Sequence, residues 1–132
     1  MKEFELKSYR VEALTFENQT KGAVKMELGY EYSYNVGYSD NNTCRGEFKI
    51  KVYDKAHTAK FHLDMTLVGH FVTAPGVAKE VLHVKTYDAL FPYVKSVVST
   101  FTVNAGVPPI FIPYLDISEK SIYRVEMPRP EA

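Results

Sequence analysis

Scarcity decides the first questions. Cys44 is the only cysteine among 132 residues, so no internal disulfide can form and no thiolate cluster is available for zinc. Lysine plus arginine and aspartate plus glutamate stand at 16 each; a chain with no net field has nothing to draw in nucleic acid or an anionic membrane. No stretch approaches the roughly 20 apolar residues of a membrane span. The opening Met1-Lys2-Glu3-Phe4-Glu5 is charged and lacks the apolar run of a secretory signal. The expectation is a cytoplasmic protein with no nucleic-acid partner and no membrane insertion. Neither a glycine-rich phosphate loop nor a nucleophile elbow occurs, which disfavours an enzyme and calls for no cofactor. Asn18-Gln19-Thr20 and Asn41-Asn42-Thr43 fit the glycosylation pattern, but without a secretory signal both read as turns. The length suits one domain, 1–132, that buries roughly two-thirds of the surface its unfolded form exposes.

What is present is patterned. From Ala23 to Tyr38, Val24, Met26, Leu28, Tyr30, Tyr32 and Tyr34 alternate with polar or small residues, the signature of a half-buried strand. After the turn-forming Ser39-Asp40-Asn41-Asn42, Cys44, Phe48, Ile50 and Val52 oppose Arg45, Glu47, Lys49 and Lys51. Beyond Asp54-Lys55-Ala56, Phe61, Leu63, Met65, Leu67 and Phe71 oppose Lys60, His62, Asp64, Thr66 and His70. The first segment, Phe4 to Glu17, mixes parities: Phe4 and Leu6 agree with Leu14 and Phe16, while Tyr9, Val11 and Ala13 take the other phase. A bulge explains this; so does a strand covered on both faces by pairing with another subunit.

After Thr73-Ala74-Pro75-Gly76 the apolar spacing turns helical through Val77, Val81, Val84, Tyr87, Leu90, Phe91, Val94, Val97, Val98 and Phe101. Asp88 reads as the cap of a restarted helix with Pro92 in its first turn, and Gly106 as the stop. The weak helix formers of Val97 to Val103 leave a strand there as the alternative. Pro108, Pro109 and Pro113 around Ile110-Phe111-Ile112 force an extended segment over a surface. Asp116-Ile117-Ser118-Glu119 reads as a short final helix, and Pro128 and Pro130 as a loose tail. Strands thus fall within 4–72, helices within 77–106, an extended crossover at 107–115 and a short C-terminal segment at 116–132. Four strands span roughly 15–20 Å, a helix roughly 10 Å. Apolar sheet surface should therefore remain for self-association or for an apolar groove that accepts another chain.

The order of elements and several strings resemble the SecB family of chaperones, which hold preproteins unfolded for export. The opening strand runs from Phe4-Glu5-Leu6-Lys7 to Leu14-Thr15-Phe16-Glu17, and the strand Phe61 to Phe71 carries Gly69 before an Ala-Pro-Gly turn. Leu90-Phe91-Pro92-Tyr93 within a helix, then Gly106, a proline and an apolar crossover, complete the likeness. The resemblance implies a two-layer α+β subunit, a four-stranded antiparallel sheet with helices on one face, assembled as a dimer of dimers and binding unfolded polypeptide clients. It implies subunit contacts near Leu63, Met65 and Leu67 and from the helix carrying Leu90, Phe91, Val94, Val98 and Phe101. Client grooves would use Phe71, Ile110, Phe111, Ile112, Tyr114 and Leu115. Glu17 and Asp64 match acidic positions that contact the translocase SecA, although a surface carboxylate reads first as solvation. The chain departs from the family in being neutral and in ending Met127-Pro128-Arg129-Pro130-Glu131-Ala132 without an acidic tail, which puts handover to SecA in doubt. A chaperone dedicated to one client, such as an antitoxin, and an oligomer binding a small apolar ligand are the rival readings.

Other chemistry has thin support. His62, Asp64 and His70 share one strand face with His57 nearby, but strand neighbours two apart lie nearly 7 Å from each other, too far for a compact metal site. Cys44 reads as a buried small hydrophobe rather than a nucleophile. Tyr30, Tyr32 and Tyr34 lack the basic stripe of an RNA-binding sheet and read as core or interface.

Overall fold

Long alternating segments make long strands, and here they make one sheet. The computed structural model describes residues 3–21 and 25–117. It contains β1 (Phe4–Asn18), β2 (Leu28–Tyr38), β3 (Thr43–Asp54), a single 3₁₀ turn (Thr58–Lys60), β4 (Phe61–Thr73) and α1 (Lys79–Asn104). The sheet order is β1-β4-β3-β2, every neighbour antiparallel. The β2–β3 turn closes through Asn42 at φ 59°, a left-handed conformation that asparagine tolerates. The asparagine triplets are turn residues: Asn18 Oδ1 accepts from the Thr20 N–H, and Asn41 Oδ1 accepts from Ser39 and Thr43.

The mixed parity of β1 has a local cause. Its register with β4 slips between Leu6 and Ser8 and again between Val11 and Ala13. Each extra residue reverses the alternation. Phe4, Leu6, Tyr9, Val11, Leu14 and Phe16 therefore lie opposite Thr73, Phe71, Gly69, Leu67, Met65 and Leu63, all on the face that α1 covers. Among the described residues β2 is shorter than the alternation predicts: it starts at Leu28, opposite Asp54 at the end of β3, with one further bond from the Lys55 N–H to the Glu27 carbonyl. Ala23 and Val24 fall outside the described residues.

The expected helix restart at Asp88 is corrected. α1 is one unbroken helix of 26 residues capped at Ala78, with Pro92 in its interior, and it includes the Val97–Val103 stretch for which a strand was the alternative. Pro92 withholds the N–H that would reach the Asp88 carbonyl. Tyr87, Leu90, Phe91 and Val94, all buried around it, hold the two halves in line. The helix ends where the Ala105 N–H returns to the Phe101 carbonyl and Gly106 takes φ +90°. Expectations for Ser118 onward lie outside the described residues.

α1 runs alongside β1, held by Lys85 Nζ to Glu3 Oε1 at 2.8 Å and by the ring pairs Tyr9–Tyr93 and Phe16–Phe101. It settles close to the sheet where two glycines face each other, Gly46 on β3 and Gly69 on β4. A methyl on Gly69 would lie 2.6 Å from Leu90 Cδ2, and one on Gly46 would overlap the Tyr34 hydroxyl. The strip that α1 leaves over β2 and β3 is filled by residues 107–117, with Ile110 and Ile112 inserted into the core. The expectation of broad uncovered sheet surface is corrected accordingly: the chain closes most of that face itself. What stays open is a narrow flank at the β1 edge, where Tyr9, Val11 and Tyr93 are exposed.

Candidate functional site

The segment 107–117 crosses the helix side of the sheet as an extended strip whose side chains alternate in and out. Ile110 and Ile112 point into the core, whereas Phe111 and Tyr114 are 64% and 47% exposed. Prolines 108, 109 and 113 supply no donors and favour this extended path. It is held by side chains rather than by a ladder. The Ile110 N–H donates to Thr102 Oγ1 at 3.0 Å. The Tyr32 hydroxyl donates to the Pro113 carbonyl at 2.6 Å, the Tyr87 hydroxyl to the Leu115 carbonyl at 2.8 Å, and the Tyr114 hydroxyl to Asp88 Oδ1 at 2.5 Å. The Tyr114 ring also meets Phe91 edge-on at 5.2 Å and lies 6.1 Å from Tyr87. The bond to the Asp88 carboxylate, and burial after it, push the Tyr114 phenol pKa well up; burial does the same for Tyr32 and Tyr87. All three hydroxyls thus stay protonated donors.

Beside this strip lies the helix side of β2 with half-buried Tyr30, Tyr32 and Tyr38. β2 is an edge strand, so its outer row of backbone groups has no partner within the sheet. Aromatic faces, an apolar strip and a strand edge unpaired among the described residues together offer non-covalent contacts to an extended chain.

The residues singled out from sequence separate into two groups. Of the proposed groove residues, Phe111, Tyr114 and half-buried Leu115 are reachable, whereas Phe71, Ile110 and Ile112 are buried in the core. Of the proposed subunit contacts, Leu63, Met65, Leu67, Leu90, Val94 and Val98 are at most 2% exposed. Their side chains close the subunit's own core, Phe91 is nearly as buried, and Phe101 packs half-buried on Phe16. The family resemblance implies contacts for these residues, and their inward-facing positions place most of them in the subunit's own core. Tyr32, Tyr87, Asp88 and Thr102 were not singled out as site residues. The Tyr30-Tyr32-Tyr34 run was read as core or interface, and the signal lay in its hydroxyls, since a half-buried phenol needs an acceptor.

The opposite sheet face is polar and mixed in charge. Glu12 accepts from Arg10 and Arg45 at 2.8 and 2.9 Å, and the Arg45 bond is the main reason its pKa is lowered. Glu17 accepts from Gln19 Nε2, and Asp64 pairs with His62 Nδ1 at 2.8 Å. In register, Glu31, Lys51, Asp64 and Thr15 form one row across the sheet, with Ser33, Lys49, Thr66 and Ala13 in the next. Both rows line a shallow hollow of about 340 Å³ that is open to solvent. Among the described residues no group of three or more His, Cys, Asp or Glu is placed to hold a metal. No helix among them is long and apolar enough to cross a membrane. Burial raises the Cys44 thiol to about 11, which keeps it protonated and a poor nucleophile.

No protein-family model matches the chain. An uncharacterized protein of Methanocaldococcus jannaschii is 27% identical over 101 residues, which cover 71% of this chain and 65% of that relative's length. Among solved structures, the Rv1957 SecB-like chaperone of Mycobacterium tuberculosis superposes with a TM-score of 0.67. It is 15% identical, the match covers 86% of this chain and 88% of that one, and its structure holds a ChAD peptide from the HigA1 antitoxin. The chain therefore has the SecB-like α+β fold.

Proposed function

We propose that this protein is a non-enzymatic chaperone that holds polypeptide in an extended form, along the strip formed by residues 110–115 and the neighbouring edge of β2. The observation that carries the reading is the exposure of Phe111 and Tyr114 beside a strand edge that no other described strand pairs with. An extended client can pair its backbone with that edge and lay alternate side chains against the rings. Each contact is shallow and contributes about a kilocalorie, so capture is tolerant of sequence and competes with folding. The fold shared with a chaperone that holds an antitoxin peptide supports a polypeptide ligand over a small apolar one.

The test is aggregation of an unrelated unfolding protein at near-equimolar chaperone. Wild type is expected to suppress it, and Phe111→Ser to weaken suppression about fivefold without unfolding the protein, because that side chain is 64% exposed. Unchanged aggregation in the presence of wild type defeats a general holding activity. A dedicated-client chaperone is the second reading, favoured by the antitoxin peptide in the structural neighbour and by the mixed charge of the polar sheet face. It is distinguished by nanomolar capture of one partner protein alongside indifference to unrelated ones. An export role, with Glu17 and Asp64 as translocase contacts, and a cytoplasmic dimer of dimers belong to the same proposal. The exposed Tyr9, Val11 and Tyr93 flank supports subunit contact there.

A further inference from the structure

The strip that lines the proposed site also blocks it, and how it is fastened says how it opens. Residues 107–117 insert Ile110 and Ile112 into the apolar face that an extended client would need for its larger side chains. The root of the segment is tied to α1 twice, by the Val107 N–H to the Thr102 carbonyl and by the Ile110 N–H to Thr102 Oγ1. Beyond Ile110 the fastening changes kind. Three tyrosine hydroxyls are among the ties of the described residues 111–115: Tyr32 and Tyr87 reach in from β2 and α1 to grip carbonyls of Pro113 and Leu115, and Tyr114 reaches out to Asp88. Lifting residues 111–115 therefore breaks no helix bond and no sheet bond, which is the condition for opening below the threshold of global unfolding. Three prolines keep the lifted segment extended, so little conformational entropy is gained or lost in the movement. The Tyr114 tie lands on Asp88, whose carbonyl is the one left without its helical donor by Pro92.

We propose that residues 107–117 are a strap occupying this subunit's own client groove, and that the hydroxyls of Tyr32, Tyr87 and Tyr114 form the latch a client must release. The proposal rests on the polypeptide-binding reading and deepens it: affinity is set by how often the strap is open, because a ligand that binds only the open form has its apparent affinity reduced by that fraction. The strap's inward isoleucines mimic the client, so a client succeeds by offering side chains that replace them.

Two measurements on the full chain test it. The triple variant Tyr32→Phe, Tyr87→Phe, Tyr114→Phe keeps every ring and removes only the hydroxyls. Amide hydrogen exchange of Ile110, whose N–H donates to Thr102 Oγ1 and must leave it when the inward isoleucines are displaced, is expected to run at least tenfold faster than in wild type, with β3 and β4 amides changed by less than twofold. Reduced, carboxymethylated α-lactalbumin carrying a fluorophore is the unfolded probe, and its affinity is expected to rise by the same factor as the exchange. Tyr53→Phe, which loses a bond to Glu31 on the opposite, polar face of the sheet, is the control and should leave both unchanged. Strap amides that exchange only with the sheet core, in wild type and triple variant alike, overturn the strap; so does faster exchange with unchanged or weaker probe binding. Absence of probe binding by either protein strikes the function reading and the gating together, and the exchange data then separate a mobile strap from a fixed one.

Discussion

Gly46→Ala gives the sharpest test of how α1 sits on the sheet. A methyl at this position overlaps the Tyr34 hydroxyl and lies 3.0 and 3.1 Å from ring atoms Cζ and Cε1. The ring cannot swing away freely, because Tyr34 is buried against Phe48, His83 and Tyr87 and its hydroxyl donates to Thr86 Oγ1 at 2.6 Å. Overpacking costs about 1–3 kcal/mol, the lost hydrogen bond about 0.5–1.5, and the reduced entropy of the unfolded chain returns about 0.4–1. The net is a loss of about 0.5–4 kcal/mol. With an unfolding entropy of about 2.1 cal/mol/K per residue, the expected fall in Tm is roughly 2–15 °C. The decisive arm is Tyr34→Phe. Alone it loses the hydroxyl bond and is expected to lower Tm by about 2–5 °C; introduced into the Gly46→Ala protein it removes the overlapping atom and is expected to raise Tm. That reversal of sign corresponds to a coupling of at least about 1 kcal/mol. Additive effects in calorimetric melts of the four proteins, or a Gly46→Ala variant as stable as wild type, would refute the seating of the Tyr34 ring over Gly46.

Pro92→Ala restores a helical donor at an exposed position and should raise stability by about 1–2 kcal/mol, the propensity gain less the entropy returned to the unfolded chain; a lower Tm in urea or thermal melts shows that the proline costs the helix nothing. Burial holds the His83 imidazole below its ordinary value, so above about pH 6.5 both states carry it neutral and its contribution is whole, while below that the unfolded chain takes up the extra proton. Stability should therefore fall as acid takes the pH from about 6.5 through the lowered folded value, and urea titrations of His83→Phe across pH 7.5 to 5 should show a shallower slope than wild type. Val11→Glu places a charge on the exposed β1 flank and should drive sedimentation toward the monomer with Tm of the subunit changed little; an unaltered assembly removes that flank as the contact.

Strands and helix were legible because their period is a local property. Alternation in Phe48, Ile50, Val52 and in Leu63, Met65, Leu67 marks an inward face whatever lies opposite. The disorderly β1 pattern was half legible: a bulge and a strand covered on both faces explained it equally, and the two register slips against β4 decide for bulges. The continuity of α1 was not legible: Asp88 and Pro92 are a plausible cap and first turn, and only the buried residues on both sides of the proline override that local signal. The site was half legible for a related reason. Proline spacing announced an extended segment over a surface, and its alternating apolar residues announced contact. Which of Ile110, Phe111 and Ile112 would face out depends on the register against β2 and α1, set by hydroxyls from Tyr32 and Tyr87 that are 81 and 28 residues away from their acceptors.

That division between a fixed and a fastened part follows from what holding an unfolded chain requires. A groove cut into the β3–β4 face would have to expose Leu63, Leu67 and Phe48, each fully buried, and every opening would draw on the same contacts that keep the subunit folded. Marginal stability leaves no room for that, since losing a few core side chains approaches the whole folding free energy of about 5–15 kcal/mol. Placing the client surface at the periphery, under a segment tied by hydroxyls, separates the two demands. Sheet and helix keep their ladders while the strip over β2 exchanges its own isoleucines for those of another chain, at a cost set by a few hydrogen bonds of about a kilocalorie each. On this arrangement strap substitutions should alter capture with little effect on melting, and core substitutions such as Gly46→Ala should alter melting before capture.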